Sequence, residues 1–138
     1  MKTFDIWSIP FKNLTITTKL KKFLSQDELN KAMNFIKYED KKNYILSHAY
    51  LRIILSTYFS HIKEEEWKFT SNKKGKPELD KSHNITFYFN ISHTSSCGYI
   101  LLADFKECGI DVEDVKDIKL DKNILNLVFS KEEMDYFN

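Results

Sequence analysis

The 138-residue sequence is 42% hydrophobic and 14% aromatic, a composition typical of a globular domain with its own core rather than of a disordered chain. Its formal net charge of +1 excludes the strongly basic surface of a general nucleic-acid-binding protein, so no nucleic-acid partner is expected. No apolar run reaches the roughly 18 residues that a membrane-spanning helix needs. No signal-peptide core follows Met1, and the sequence therefore predicts a cytoplasmic protein without a membrane partner.

The first part of the chain predicts one strand and two short helices. Thr3 to Ile9 alternates in the manner of a strand, which Pro10 ends because it lacks a backbone N–H. A short helix is predicted from Thr17 to Leu24. Ser25 to Glu28 has the capping-box pattern that satisfies free amides at a helix start, so a second helix is predicted there, with Lys31 on its polar side.

The longest predicted helix runs from Asp40 to Ile62. One stripe of it is apolar at helical spacing and consists of Leu46, Ala49, Tyr50, Ile53, Ile54, Thr57 and Tyr58. A ligand groove along this stripe is the alternative, but such a stripe is more typical of a domain core, and we interpret it as core. His48 and His61 on the same helix are given no function.

Short strands are predicted after this helix. Trp67 to Thr70 leads through a lysine-rich turn into a strand that ends at Leu79, and Thr86 to Ile91 pairs with Gly98 to Asp104 as a central hairpin. A further helix is predicted from Leu120 to Val128. These elements predict an α+β fold in which a small, mostly antiparallel sheet packs against the long helix.

Two carboxylates follow the central hairpin in the sequence Gly-Ile-Asp-Val-Glu. In an extended chain alternate side chains share a face, so Asp111 and Glu113 project together while Ile110 and Val112 point the other way. A pair of hard oxygen ligands suits Mg²⁺, which keeps several waters and shares its other positions with substrate phosphates. Taken alone, the pair is more often a solvated strand edge, but its neighbours favour a site for a phosphate-bearing substrate.

Cations and hydrogen-bond donors precede the carboxylates. Three lysines surround a Gly-Pro turn at 73–77, and Lys76 lies next to the rigid Pro77, where a lysine can hold a phosphate as a point charge. Ser92 and His93 lie just beyond the predicted strand, and each can donate to a phosphate oxygen. A solvated hairpin tip and a structural histidine are the alternatives for these residues.

Four short motifs in this order resemble those of the 4'-phosphopantetheinyl transferases, in particular the larger, surfactin-synthetase-activating type. The motifs are Gly75-Lys76-Pro77, Phe89-Asn90-Ile91-Ser92-His93, Gly109-Ile110-Asp111-Val112-Glu113 and Phe129-Ser130-x-x-Glu133. Four motifs in the right order are far more specific than any one of them. The resemblance extends over nearly the whole chain.

The resemblance implies Mg²⁺-dependent transfer of 4'-phosphopantetheine from coenzyme A to a serine of an apo acyl or peptidyl carrier protein. By the same resemblance, Asp111 and Glu113 are the catalytic metal ligands. The implied coenzyme A ligands are Lys31, Lys76, Ser92 and His93. Positioning by metal and cations is also what phosphoryl-type transfer requires on physical grounds.

The sequence departs from the family pattern in two places. Relatives of the larger type carry an arginine near the start of the long helix where this chain has Asn43, and Lys41 or Lys42 is expected to compensate. The family's third motif, Trp-x-x-Lys-Glu, is absent because the sequence ends at Asn138. The alternative to an active transferase is therefore a non-catalytic module that binds coenzyme A or the carrier protein.

The resemblance also implies a division of the chain. The larger transferases consist of two similar α+β halves, so residues 1–104 are expected to form the N-terminal half and residues 109–138 the beginning of the second half. An incomplete second half leaves apolar side chains such as Leu125 and Val128 without cover, and self-association through the C-terminal segment is expected. The carrier protein is expected to contact a basic surface containing lysines 116, 119 and 122.

Overall fold

The computed structural model describes residues 2–115 and 129–130. Its α-helices are α1 (Thr18–Phe23), α2 (Gln26–Met33) and α3 (Tyr38–Tyr58). Its strands are β1 (Phe4–Pro10), β2 (Phe69–Ser71), β3 (Pro77–Leu79), β4 (Tyr88–His93) and β5 (Cys97–Ala103). The predicted α+β class with small antiparallel sheets is confirmed. Within the described part of the chain, no helix is both long enough and apolar enough to cross a membrane.

The larger sheet has three strands in the order β1-β5-β4, and both pairings are antiparallel. Leu101 pairs with Ile6 on one side and with Asn90 on the other, and residues that lie directly opposite share a face of the sheet. One face packs into the core through the buried side chains of Ile9, Phe89, Ile100 and Leu102. The other face carries Asn90 and Ser92. This second face is where the candidate site lies.

The helix α3 supplies much of the core but differs from its prediction in two respects. It ends at Tyr58 rather than near residue 62, because the Phe59 ring packs against the rings of Trp67 and Phe87 and the chain turns inward there. It is also buried on more than one side, since α1 and α2 cover the side that carries Ile45. The predicted stripe therefore covers only part of the buried surface of α3.

A cluster of charged groups joins α2 to α3. The predicted capping box is present, with the Ser25 amide donating to Glu28 Oε2 at 2.8 Å and the Glu28 amide donating to Ser25 Oγ at 3.2 Å. The Glu28 carboxylate also accepts from Arg52 Nη2 at 2.6 Å and lies 2.9 Å from His48 Nδ1. Arg52 is only 2% exposed and donates from Nη1 to the Trp67 carbonyl at 2.6 Å. This cluster connects α2 to α3 and, through the Trp67 carbonyl, to the chain before β2.

Acid is expected to weaken the fold through Glu28. Burial by itself raises the pKa of this carboxyl, but the hydrogen bond from His48, the charge of Arg52 and the Ser25 amide more than offset burial and lower the pKa from 4.5 to about 2. Since the folded pKa lies below the unfolded one, the stabilisation is complete above pH 4.5 and is lost as the pH falls toward 2.

The expected contribution of the Glu28 carboxylate near neutral pH is about 3 kcal/mol or less. Urea unfolding of the wild type and of Glu28→Gln at a series of pH values measures it. The wild type is expected to lose stability more steeply than the variant over this acidic range. Equal slopes for the two proteins would contradict the expectation.

Candidate phosphate and metal site

The lysine-rich turn between β2 and β3 directs one of its three lysines inward. Asn72 shapes the turn, because its Oδ1 accepts from the amides of Lys74 at 2.9 Å and of Lys76 at 3.1 Å. Gly75 has φ of +80°, a value that side-chain-bearing residues rarely adopt, and so permits the turn. Lys73 and Lys74 are exposed, whereas the half-buried Lys76 donates from Nζ to the Cys108 carbonyl at 3.2 Å.

A cavity of about 460 Å³ opens beside Lys76. It lies between the β2–β3 hairpin and the chain that leads into β4, and Lys81 and Lys106 also line it. Apolar side chains, including Leu79, Ile85 and Phe87, form much of the remaining wall. The carboxylate of Glu78 also lines it, and a volume of several hundred Å³ with apolar walls and a few charged groups is typical of a small-molecule site.

The carboxylate segment, residues 109–115, runs along β4 without forming a strand of the sheet. The Ile110 amide donates to Asn90 Oδ1 at 3.0 Å, and the Val112 amide donates to Ser92 Oγ at 3.1 Å. In an extended backbone, amides two residues apart point to the same side. The local conformation therefore resembles a strand, but side chains rather than the backbone of β4 provide its partners.

Burial alternates from residue 109 to residue 113, as an extended backbone requires. Ile110 and Val112 are half-buried, whereas Asp111 and Glu113 are exposed. Asp111 Oδ1 accepts from Ser92 Oγ at 3.1 Å. The Ser92 hydroxyl thus accepts from the Val112 amide and donates to the Asp111 carboxylate. Among the described residues, no lysine or arginine forms an ion pair with either carboxylate.

The donor set of the carboxylate segment fits Mg²⁺. Two exposed carboxylates leave most coordination positions for water and phosphate oxygens, which is the arrangement that Mg²⁺ prefers. The described residues contain no group of three or more potential protein ligands. Within these residues, the carboxylates of Asp111 and Glu113 are the potential ligands that the segment offers to a cation.

Ser92 and His93 lie on opposite faces of the sheet. The sequence suggested that both residues follow the strand, but β4 extends to His93, and neighbouring side chains in a strand point to opposite sides. The His93 ring is 6.4 Å from the buried ring of Phe11, which lies close above Gly98. The Ser92 hydroxyl faces Asp111 instead.

Lys31, on α2, lies near the beginning of α3. Its ammonium is 5.6 Å from the centre of the Tyr44 ring. Burial, together with the nearby Glu28 carboxylate, raises the pKa of Tyr44 to about 12, so its hydroxyl stays neutral. The neighbouring Asn43 donates from Nδ2 to the Ser95 carbonyl at 3.2 Å, which connects this end of α3 to the β4–β5 turn.

Sequence reasoning assigned no role to Asn90 by itself, although this residue lies within one of the quoted motifs. Asn90 lies two residues before Ser92 in β4, so both side chains lie on the same face of the sheet. This spacing is visible in the sequence and could have identified Asn90 as a site residue. Asn43, where the sequence departs from the family pattern, has a structural contact. It is 2% exposed and holds the β4–β5 turn, so it contributes structure where relatives of the larger type carry a cation.

Several predictions concern residues outside the described ranges. These are the helix from Leu120 to Val128 and the carrier-protein surface with lysines 116, 119 and 122. Self-association through the C-terminal segment also depends on them. All of these remain predictions.

The chain belongs to the 4'-phosphopantetheinyl transferase family, since the family described as "4'-phosphopantetheinyl transferase, N-terminal" matches residues 9–105. It is 29% identical over 135 residues to the 4'-phosphopantetheinyl transferase ffp of Bacillus subtilis, a match that covers 96% of this chain and 57% of that protein. The 4'-phosphopantetheinyl transferase HetI of Nostoc sp. is 29% identical over 110 residues, which are 78% of this chain and 46% of HetI. The chain thus spans about half the length of these relatives.

Proposed function

We propose that this chain provides the coenzyme A and metal site for transfer of 4'-phosphopantetheine to a serine of an apo acyl or peptidyl carrier protein. One observation carries the proposal: Lys76 lines the 460 Å³ cavity and also donates to the backbone of the chain leading into the carboxylate segment, at Cys108. Cys108 lies three residues before Asp111, so this contact connects the cavity wall to the start of the carboxylate segment, although none of residues 109–115 lines the cavity itself. Membership of the transferase family supports the reaction type.

Asp111 and Glu113 are the proposed metal ligands. Mg²⁺, when bound, would neutralise the pyrophosphate of coenzyme A and stabilise the charge that develops as the phosphorus–oxygen bond breaks. The two carboxylates would fix the position of this charge, and the Ser92 hydroxyl would orient Asp111 through the hydrogen bond at 3.1 Å. The serine oxygen of the carrier protein would attack phosphorus, and 3',5'-ADP would leave.

Cationic and polar residues are the proposed coenzyme A ligands. Lys76 holds a phosphate next to the carboxylate segment, and the apolar walls of the cavity suit the uncharged parts of the ligand. Ser92 and His93 at the end of β4, together with Lys31 near α3, are proposed to contact the remaining phosphates. Because Ser92 and His93 lie on opposite faces, they would contact different parts of the ligand.

The proposed division into residues 1–104 and 109–138 has one supporting observation. Residues 105–115 contain no regular element and separate β5 from the later part of the chain. The chain spans about half the length of its relatives. The activity of a whole transferase is therefore a proposal for this chain. Binding of coenzyme A without transfer is the other outcome that an assay can reveal.

A pair of lysine variants tests the coenzyme A site. Lys76→Ala is expected to weaken coenzyme A binding at least about tenfold, equivalent to about 1.4 kcal/mol, because the ammonium beside the cavity is lost. Lys73→Ala is the matched control. Lys73 lies in the same turn and has the same charge, but it is exposed, so a change of less than about twofold is expected. Titration calorimetry in the presence of Mg²⁺ measures the coenzyme A affinity of both variants. Equal effects of the two substitutions would contradict the proposal.

A further inference from the structure

We propose that Asn90 is a positioning residue, which together with Ser92 fixes the carboxylate segment to β4 and so sets the direction of Asp111 and Glu113. This inference rests on the proposed function, because it concerns the same carboxylate pair. It assigns the role to a neutral side chain that contacts the segment backbone rather than the ligand. Asn90 Oδ1 accepts from the Ile110 amide at 3.0 Å.

The contacts along the segment form a regular pattern. Asn90 pairs with Ile110 and Ser92 with Val112, so the two chains advance in the same direction at a constant offset. This arrangement replaces the backbone ladder of a parallel strand by two side chains of β4. Each amide of the segment that points toward β4 between residues 110 and 112 thus receives a side-chain oxygen.

The pattern determines which side of the segment carries the carboxylates. With the amides of Ile110 and Val112 held against β4, the backbone is extended, and the side chains at 111 and 113 must lie on one face. Release of the Ile110 amide would free the backbone on the N-terminal side of Asp111. Ser92 alone would then hold Asp111, through the same hydroxyl that accepts from Val112.

The chemistry of asparagine suits this position. Its amide oxygen accepts from the backbone without adding a third negative charge beside two carboxylates, whose mutual repulsion a cation must already offset. Aspartate at position 90 keeps an acceptor oxygen but adds that charge. Alanine removes the acceptor altogether. These two substitutions therefore separate the hydrogen bond from the charge.

Amide hydrogen exchange measured by nuclear magnetic resonance tests the hydrogen bond directly. In Asn90→Ala, exchange at Ile110 is expected to accelerate at least about tenfold, whereas Asn90→Asp is expected to retain the slow exchange. Ser8→Ala is the control. Ser8 is an exposed residue on the same face of the sheet, in β1, and its substitution is expected to leave the exchange of Ile110 unchanged. If Asn90→Ala does not fold, Asn90→Leu replaces it, because leucine is close to asparagine in size but offers no acceptor to the Ile110 amide.

Binding of Mn²⁺ in the presence of coenzyme A, followed by electron paramagnetic resonance, tests the positioning role. Asn90→Ala is expected to weaken Mn²⁺ binding about tenfold, with metal-free coenzyme A binding unchanged. Unchanged exchange at Ile110, or faster exchange with unchanged Mn²⁺ affinity, would overturn the role of Asn90 while the proposed function stands. A wild-type chain that binds neither Mn²⁺ nor coenzyme A would overturn the proposed function, and the positioning role with it.

Discussion

Asp111→Asn is expected to abolish the increase in coenzyme A affinity that Mg²⁺ produces. The substitution keeps the size of the side chain and an oxygen that can accept from Ser92, but it removes one of two carboxylate charges in the proposed metal site. Titration of coenzyme A with and without Mg²⁺ measures the effect. The wild type is expected to bind at least about tenfold more tightly with Mg²⁺, a difference of about 1.4 kcal/mol, whereas the variant is expected to show no gain.

The neighbouring Asp114 provides the control for this substitution. Its carboxylate is exposed and lies at the long distance of 3.4 Å from Ser95 Oγ, whereas the Asp111 carboxylate contacts Ser92. Asp114→Asn removes the same charge and is expected to preserve most of the effect of Mg²⁺. A full Mg²⁺ effect in Asp111→Asn, or its equal loss in both variants, would contradict the assignment of Asp111.

Arg52→Ala is expected to lower the free energy of unfolding by about 3–5 kcal/mol, the usual cost when a buried ion pair loses one partner. The guanidinium is 2% exposed, contacts the Glu28 carboxylate and the Trp67 carbonyl, and lies 4.8 Å from the centre of the Phe69 ring. Its removal takes the guanidinium charge away from the Glu28 carboxylate and creates a cavity. Urea unfolding followed by circular dichroism measures the loss.

Lys19→Ala serves as the control for charge alone. Lys19 is an exposed cation on α1, so its removal is expected to change the free energy of unfolding by less than about 0.5 kcal/mol. A loss of less than about 1 kcal/mol in Arg52→Ala would show that Glu28 and the Trp67 carbonyl find other partners. The cluster would then not be a principal source of stability.

Local patterns predicted much of the fold. The capping box at Ser25 and Glu28 is present, because it depends only on residues three positions apart. The central hairpin formed within a few residues of its predicted bounds, since alternation and turn residues are also local signals. The extended conformation around Asp111 follows the same alternation, although this segment does not join the sheet.

Contacts between distant parts of the chain could not be predicted in this way. Glu28 was recognised as a capping residue, but its ion pair with Arg52 joins positions that only the packing of α2 on α3 brings together. The contact of Lys76 with Cys108 likewise depends on how the β2–β3 hairpin folds toward the end of β5. The separation of Ser92 from His93 was predictable in principle, but it depended on the exact end of β4, and strand ends are the least certain feature of a sequence pattern.

The most direct test is the intact mass of an apo carrier protein after incubation with this chain, coenzyme A and Mg²⁺, with Asp111→Asn run in parallel. We expect a mass increase of one 4'-phosphopantetheine group that requires Mg²⁺ and is lost in the variant. No mass increase with the wild-type chain, under conditions in which calorimetry detects coenzyme A binding, would contradict transfer and identify the chain as a binding module.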